Sequence, residues 1–435
     1  MTIRKKLGTR EGGAVAVRRL RSKESSDIET RSAEQPAREV NKGLFFAALS
    51  LAIFAAMSAI LIVPPLLVEI GAELDVSVPV AGQLATATFA AWAVSLLCVG
   101  PLSDSFGRRP VALAGLAVLA VSALASAFAP NIETLLALRA LTGLAGGALP
   151  ATAVGVLSDV ISPARRARAI TAMLSVQGVV AGVTVPMVAV LADLGGWRLP
   201  FVVVGGLLAS ALLVNWVWFP RDKRERTRSL VFFSRYFSLL SLRYFRVAIA
   251  VGATQRVSFW ATLSFFPAHL LLTYDVPLAL VALPLVITAA GQVVGSYSAA
   301  YVANSKHRTA LLAGTSVAGG LCACLFFSVD LGLWLAVAVV AIGAGFLSVL
   351  MSALVAVSTE YSGASKSTGA SLLGFTNQSS GALGAAFGGV LLASVGYAGI
   401  GYMCLAVTIA SALMTPLFGR RFSDTATRPA AQGSG

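Results

Sequence analysis

From residue 43 onward the chain is a succession of apolar runs of about 20 to 26 residues, separated by short polar breaks. A helix rises about 1.5 Å per residue, so each run is long enough to cross about 30 Å of hydrocarbon. Helices also satisfy their own backbone hydrogen bonds, as lipid requires. The pattern predicts twelve spans: 43–68, 80–101, 111–128, 133–158, 169–191, 199–219, 247–272, 278–302, 309–328, 331–357, 368–395 and 400–418. The expected fold class is an all-α membrane protein. A mean hydropathy of +0.82 with 12% charged residues agrees, because a soluble chain of this length would carry far more surface charge.

The formal net charge is +14, which raises the question of a nucleic-acid partner, so the placement of the charge decides more than its total. Of 33 Lys and Arg, eleven precede Gly43, and nearly all the others fall in alternate connections: Arg108 and Arg109, Arg165 to Arg168, Arg221 to Arg246, Lys306 and Arg308, Lys366, and the tail from Arg420. Arg198 lies in a connection of the opposite set, and Arg139 and Arg256 lie inside spans, which leaves 30 on one side. The positive-inside rule makes that side cytoplasmic, with both termini there. The basic balance is therefore topology, and no nucleic-acid partner is expected. Glu69, Glu73, Asp75, Glu133, Asp193, Asp275 and Asp330 occupy the opposite, outer connections.

Residues 1–42 carry eleven basic and six acidic residues and no apolar core, so they are expected to be a disordered basic cytoplasmic arm. A basic linker, 221–246, divides six spans (43–220) from six (247–421), and 422–435 form a short tail. Cys98, Cys322, Cys324 and Cys404 all fall within spans and lack the companions of a metal or redox site, so they are expected to pack, and no metal or cofactor is implied.

The two halves can be laid over each other at an offset of about 200 residues. Ser158 and Asp159 fall on Thr359 and Glu360, Arg166 on Lys366, Gly195 to Trp197 on Val395 to Tyr397, and Arg108 and Arg109 near Lys306 and Arg308. Six spans per half give both halves the same orientation. The expected architecture is two pseudo-symmetric six-helix bundles able to rock about a central site.

Between the second and third spans stands GPLSDSFGRRP, residues 100–110. Gly100, Leu102, Asp104, Gly107, Arg108 and Arg109 resemble the G-x-L-x-D-x-x-G-R-R signature of the major facilitator superfamily, and the similarity runs from Gly43 to Arg421; Ser105 departs from the usual basic residue. Glycines allow a tight connection there, and a carboxylate such as Asp104 is favoured near a helix N-terminus. The resemblance implies a gate, with Asp104 facing the helix that begins just before Thr368 and Arg108 meeting Asp159. Arg139 and Gly143, in RALTG, resemble a second family signature, whose arginine is linked to proton coupling. Gly178 and Gly182 resemble the antiporter pattern only in part, since Val183 stands where proline is wanted and Pro186 comes three residues late. AGQLAT at 81–86 and NQSSGALGAAFGG at 377–389 resemble the drug-efflux and sugar-efflux branch.

Ionisable groups at membrane depth cost several kcal/mol and are functional candidates by default. Arg139 lies about two turns below the outer face and Arg256 about ten residues into its span; no carboxylate lies well inside any span. Arg256, with its fixed donor fork, is a recognition point for a negative or polarised group. Gln255, Phe259, Trp260 and Phe266 supply amide and aromatic surface on the same helix. The family resemblance implies that Arg139 and Arg256 could both face the cavity. Two cations without a deep acid favour neutral, zwitterionic or anionic substrates over cationic dyes. A proton-driven exchanger needs a group that titrates in the working range, and Glu69 and His269 are the candidates.

Three readings follow. The first is a multi-pass transporter of the inner (cell) membrane, acting as a monomer and exporting a small organic molecule in exchange for protons. The second is an organic-anion carrier with Arg139 and Arg256 as the clamp and no strict proton coupling. The third is a non-transporting membrane sensor on the same scaffold. No HExxH, Walker loop or Cys/His cluster points to an enzyme.

Overall fold

The computed structural model describes residues 42–160, 182–220, 243–303 and 307–425 without 362–365, together with 180, 240, 241 and 305. Residues 1–41, most of the linker, Arg165 to Arg168, Gly178 and the end of the tail lie outside the described residues. By chain contacts the described residues from Phe46 onward belong to one unit, which holds every element after the start of the first helix.

All described elements are helical. They are α1 (Lys42–Leu61), a 3-10 turn (Pro64–Leu66), α2 (Leu67–Glu73), α3 (Val78–Phe106), α4 (Arg108–Ser126), α5 (Ile132–Gly146) and α6 (Ala148–Val160). Then come α7 (Gly182–Gly195) and α8 (Arg198–Trp218), α9 (Arg243–Thr273), α10 (Leu278–Ala303), α11 (Arg308–Ser328), α12 (Leu333–Tyr361), α13 (Lys366–Val395) and α14 (Tyr397–Thr425). Ten stretches among the described residues are long and apolar enough to cross a membrane, where the sequence predicts twelve spans. The two others have physical reasons. α9 has the length but interrupts its apolar run with Gln255, Arg256 and His269, and only the short apolar segment α7 of the fifth span is described.

Two proline- or glycine-marked positions break spans that the pattern reads as continuous. Pro64 and Pro65 open the turn between α1 and α2, since proline cannot donate the helical hydrogen bond. Residue 147 separates α5 from α6. The polar stretch 100–110, expected as a loop, is nearly all helix: Gly100 and Asp104 lie on α3, Arg108 and Arg109 open α4, and Gly107 alone, at φ 95°, turns the chain. That φ is natural to glycine and strained for other residues. α5 begins where Asn131 accepts a hydrogen bond from the Thr134 N–H at 2.9 Å, with Glu133 in the first turn beside the positive end of the helix dipole.

Packing repeats from one half of the chain to the other. α3 packs on α5 and α4 on α8; in the same relation α10 packs on α12 and α11 on α14. The backbone repeats as well. Among the described residues the non-glycine positions with positive φ are Asp75 (52°) and Asp275 (50°), each in the turn after the first span of its half. Gly196 (70°) and Gly396 (81°) each precede the last helix of their half. Both pairs are separated by the same 200 residues that align the two sequences.

α3 and α13 bring the halves together along a seam with a seven-residue period. Phe89 and Leu96 on α3 face Gly381 and Gly374 on α13, and Gly82 and Gly388 continue the same antiparallel spacing around Phe265. A Cβ at Gly381 would lie 3.1 Å from the Phe89 ring, and one at Gly374 would lie 3.3 Å from Leu96 Cδ1. At one end Phe265 of α9 fills the notch, within 3.0 Å of a Cβ at Gly82 and 2.6 Å of one at Gly388. At the other end Phe245 and Leu372 are buried together with Leu97 and Phe375 packed against them.

Candidate functional site at Arg256

Arg256 sits mid-way along α9 and is 9% exposed. Its Nε donates to Asn377 Oδ1 of α13 at 2.8 Å, and the same oxygen accepts from Trp260 Nε1 at 3.2 Å. The guanidinium carbon stands 3.8 Å above the Phe259 ring centroid and 5.6 Å from that of Trp260. Trp260 in turn meets Phe89 of α3 at 4.7 Å between centroids. Arg256 is thus one ring removed from the seam. Its two Nη groups have no hydrogen-bond partner among the described residues, and no described carboxylate pairs with it. A buried cation held by a neutral acceptor keeps its charge available to whatever binds.

The other sequence candidates are placed apart from this group. Gln255, one residue earlier and fully buried, turns to α12 and donates from Nε2 to the Leu347 carbonyl, leaving its Oε1 buried and unpartnered among the described residues. It lies near a cavity of about 10 Å³, room for about one water. That cavity is lined mainly by apolar atoms of α9, α10 and α12, including Phe259, Phe266 and Leu347.

Arg139 is fully buried inside the first half. Its Nη1 donates to the Ala59 carbonyl at 3.1 Å and its Nη2 to Ser126 Oγ at 2.8 Å, while Phe201 lies under the guanidinium at 4.9 Å. It therefore ties α5 to α1, α4 and α8. The neighbouring Gly143 lets α5 approach α3 closely: a Cβ there would stand 2.2 Å from the Thr88 carbonyl oxygen.

His269 lies near the C-terminal end of α9 in a cluster of rings with Phe326, Phe327, Tyr397 and Tyr274, at 4.5 to 5.9 Å between centroids. Its Nε2 faces the Phe326 carbonyl at 3.1 Å and its Nδ1 faces Thr273 Oγ1 at 3.0 Å. A carbonyl only accepts, so Nε2 carries the proton and Nδ1 accepts from the threonine. Glu69 of α2 is half-buried, with Oε2 enclosed and unpartnered among the described residues. Its neighbour Glu73 bonds Trp197 Nε1 at 2.7 Å and pairs with Arg198. That pair accounts for the one basic residue which the charge pattern places on the outer side.

On the signature turn, Arg109 Nη2 donates to the Trp216 carbonyl at 2.6 Å, satisfying the C-terminal end of α8. Asp104 lies on α3 and Asp159 on α6; the described contacts do not include their side chains. Sequence reasoning missed Asn377 and Phe89 as site residues. An amide beside Gln378 within an otherwise small and apolar span is the signal that could have found Asn377.

Comparison with known proteins fits this architecture. The chain is 26% identical over 212 residues to the inner membrane transport protein YnfM of Escherichia coli strain K12, covering 47% of this chain and 51% of that protein. It is 32% identical over 151 residues to the 4-hydroxybenzoate transporter PcaK of Pseudomonas putida, covering 33% and 32%. The matched stretch is thus about half the length of YnfM and less of PcaK. Among solved structures, a bacterial homologue of the human lysosomal transporter Spinster, in an inward-facing and unoccupied conformation, superposes with a TM-score of 0.69 at 15% identity, over 90% of this chain and 98% of that one, and so shares its fold. Residues 48–385 match the sequence profile of the Major Facilitator Superfamily, and the chain belongs to that family.

Proposed function

We propose that this chain is a secondary active transporter of the inner (cell) membrane, with twelve spans and both termini cytoplasmic. It acts as a monomer and exports a small neutral or anionic organic molecule by alternating access in exchange for protons. The observation that carries the reading is Arg256, a mid-span cation whose Nη groups are unpartnered among the described residues, one ring away from the seam between the repeats. Repeated packing and the family membership support the rocking motion. Asp104, Arg108 and Asp159 form the inner gate, and Glu69 is the leading proton carrier, because His269 has both ring nitrogens engaged and packed among rings.

A second reading, an organic-anion carrier without strict proton coupling, rests on a separate observation: no carboxylate among the described residues bonds Arg139 or Arg256. A relative named for 4-hydroxybenzoate, an organic anion, agrees with it. Here the clamp belongs chiefly to Arg256, since Arg139 spends both Nη groups within its own half.

Proteoliposomes with an imposed pH gradient separate the two. Transport that follows the gradient in the wild type and ignores it in Glu69→Gln supports exchange with protons. Transport indifferent to the gradient in both leaves the anion carrier. Arg256→Ala is expected to lose anion transport by a factor of ten or more, as befits a lost charged hydrogen bond of about 1.5–3 kcal/mol.

A further inference from the structure

We infer that Asn377 sets the charge selectivity of the Arg256 site, acting as a neutral positioning residue whose replacement by an acid would convert an anion site into a closed ion pair. The inference rests on the reading of Arg256 as the substrate-recognition group and names the substrate class: organic molecules bearing a carboxylate.

Three observations converge on it. First, Asn377 Oδ1 accepts from Arg256 Nε and Trp260 Nε1 together, at 2.8 and 3.2 Å, so one amide oxygen orients both the cation and the ring beside it. It occupies the inner edge of the guanidinium and leaves the outer edge, the paired Nη groups, with no described partner. That edge is the fork which meets a carboxylate with two parallel hydrogen bonds. Second, among the described residues the Nδ2 of Asn377 meets only Gln378 Oε1 at 3.5 Å, beyond the range of a good hydrogen bond. The amide therefore keeps donor capacity beside the cation. Third, no carboxylate among the described residues compensates the charge. An aspartate could occupy this position with nearly the same shape and would pair with Arg256 at once; the asparagine supplies the same acceptor without the charge. A buried guanidinium lacking a counter-ion is costly to keep, and an arriving carboxylate recovers that cost whereas an amide or ammonium does not.

The same amide links recognition to the seam. Trp260, held by Asn377, packs on Phe89 at 4.7 Å, and Phe89 lies over Gly381, one helical turn from Asn377 on α13. An anion that shifts Arg256 therefore acts through Asn377 on Trp260, which bears on the opposite half.

The test uses the purified full chain in detergent and a panel of monocarboxylates (acetate, octanoate, benzoate), each paired with its neutral amide. Binding is read by the shift in unfolding temperature and by titration calorimetry. The wild type is expected to bind at least one acid about tenfold or more tightly than its amide. Asn377→Asp is expected to unfold at higher temperature without ligand and to bind acid and amide alike. Asn377→Ser, which keeps a neutral acceptor, is expected to retain the preference for the acid. A purely structural role would weaken acid and amide together in both variants, and that result overturns the inference, as does an Asn377→Asp protein that still prefers the acid. Should Arg256→Gln keep the preference, or should the wild type show none across the panel, the reading of Arg256 itself fails and the inference falls with it.

Discussion

A methyl group at position 143 would stand 2.2 Å from the Thr88 carbonyl oxygen and 2.8 Å from Ala91 Cβ, too close for either to remain. Gly143→Ala is therefore expected to force α5 away from α3, destabilising the purified protein by about 1–3 kcal/mol, read as a lower unfolding temperature with substrate preference unchanged. Arg139, one turn away, holds four spans of its half through two carbonyl or hydroxyl acceptors and a ring. These contacts are structural chemistry that a sequence shows only as an arginine in an apolar run. Arg256 looks the same in the sequence, and the difference between them lies in where the Nη groups end. The identity of the buried cations was legible in the residues; their partners were not, because a carbonyl from a distant span leaves no mark in the sequence. Asn377 left a signal, an amide beside Gln378 within the span, but nothing in the sequence shows that it meets Arg256.

At the level of helices, most spans were legible because lipid enforces long apolar runs, and the breaks were less so. The chain turns at Gly107 with one residue where the whole stretch 100–110 was expected as a loop, since charged side chains at helix ends can reach past the membrane edge while their backbone stays helical. The seam between α3 and α13 needs two sequences read together: α13 alone shows glycines at 374, 381 and 388, and α3 alone shows Gly82, Phe89 and Leu96 at the same spacing. Gly381→Leu is expected to push Phe89 off its seat and reduce transport at least tenfold, with folded protein still recovered. Paired substitutions Leu96→Cys with Gly374→Cys, in a protein whose four native cysteines are replaced, are expected to cross-link under mild oxidation. Failure of that pair to cross-link would remove the register described here.

Across the whole molecule the repeat is carried by backbone shape as much as by side chains. Asp75 and Asp275 take the same left-handed conformation after the first span of each half, and Gly196 and Gly396 take it before the last. Aspartate is one of the few non-glycine residues that visit this region readily, so an Asp at each of two positions 200 residues apart was a readable sign of duplication. If both turns face outward, Asp75→Cys and Asp275→Cys in the cysteine-replaced chain are expected to react with an impermeant maleimide from outside intact cells; labelling only after lysis would reverse the proposed topology. The seam adds a consequence for speed. Its α13 side is lined by glycine, which has no rotamers to reset, so tilting one half against the other there slides ring and leucine over bare main chain. Little activation entropy is then lost at that contact, and the slow step of the cycle belongs to the charged groups that must shed and regain their partners.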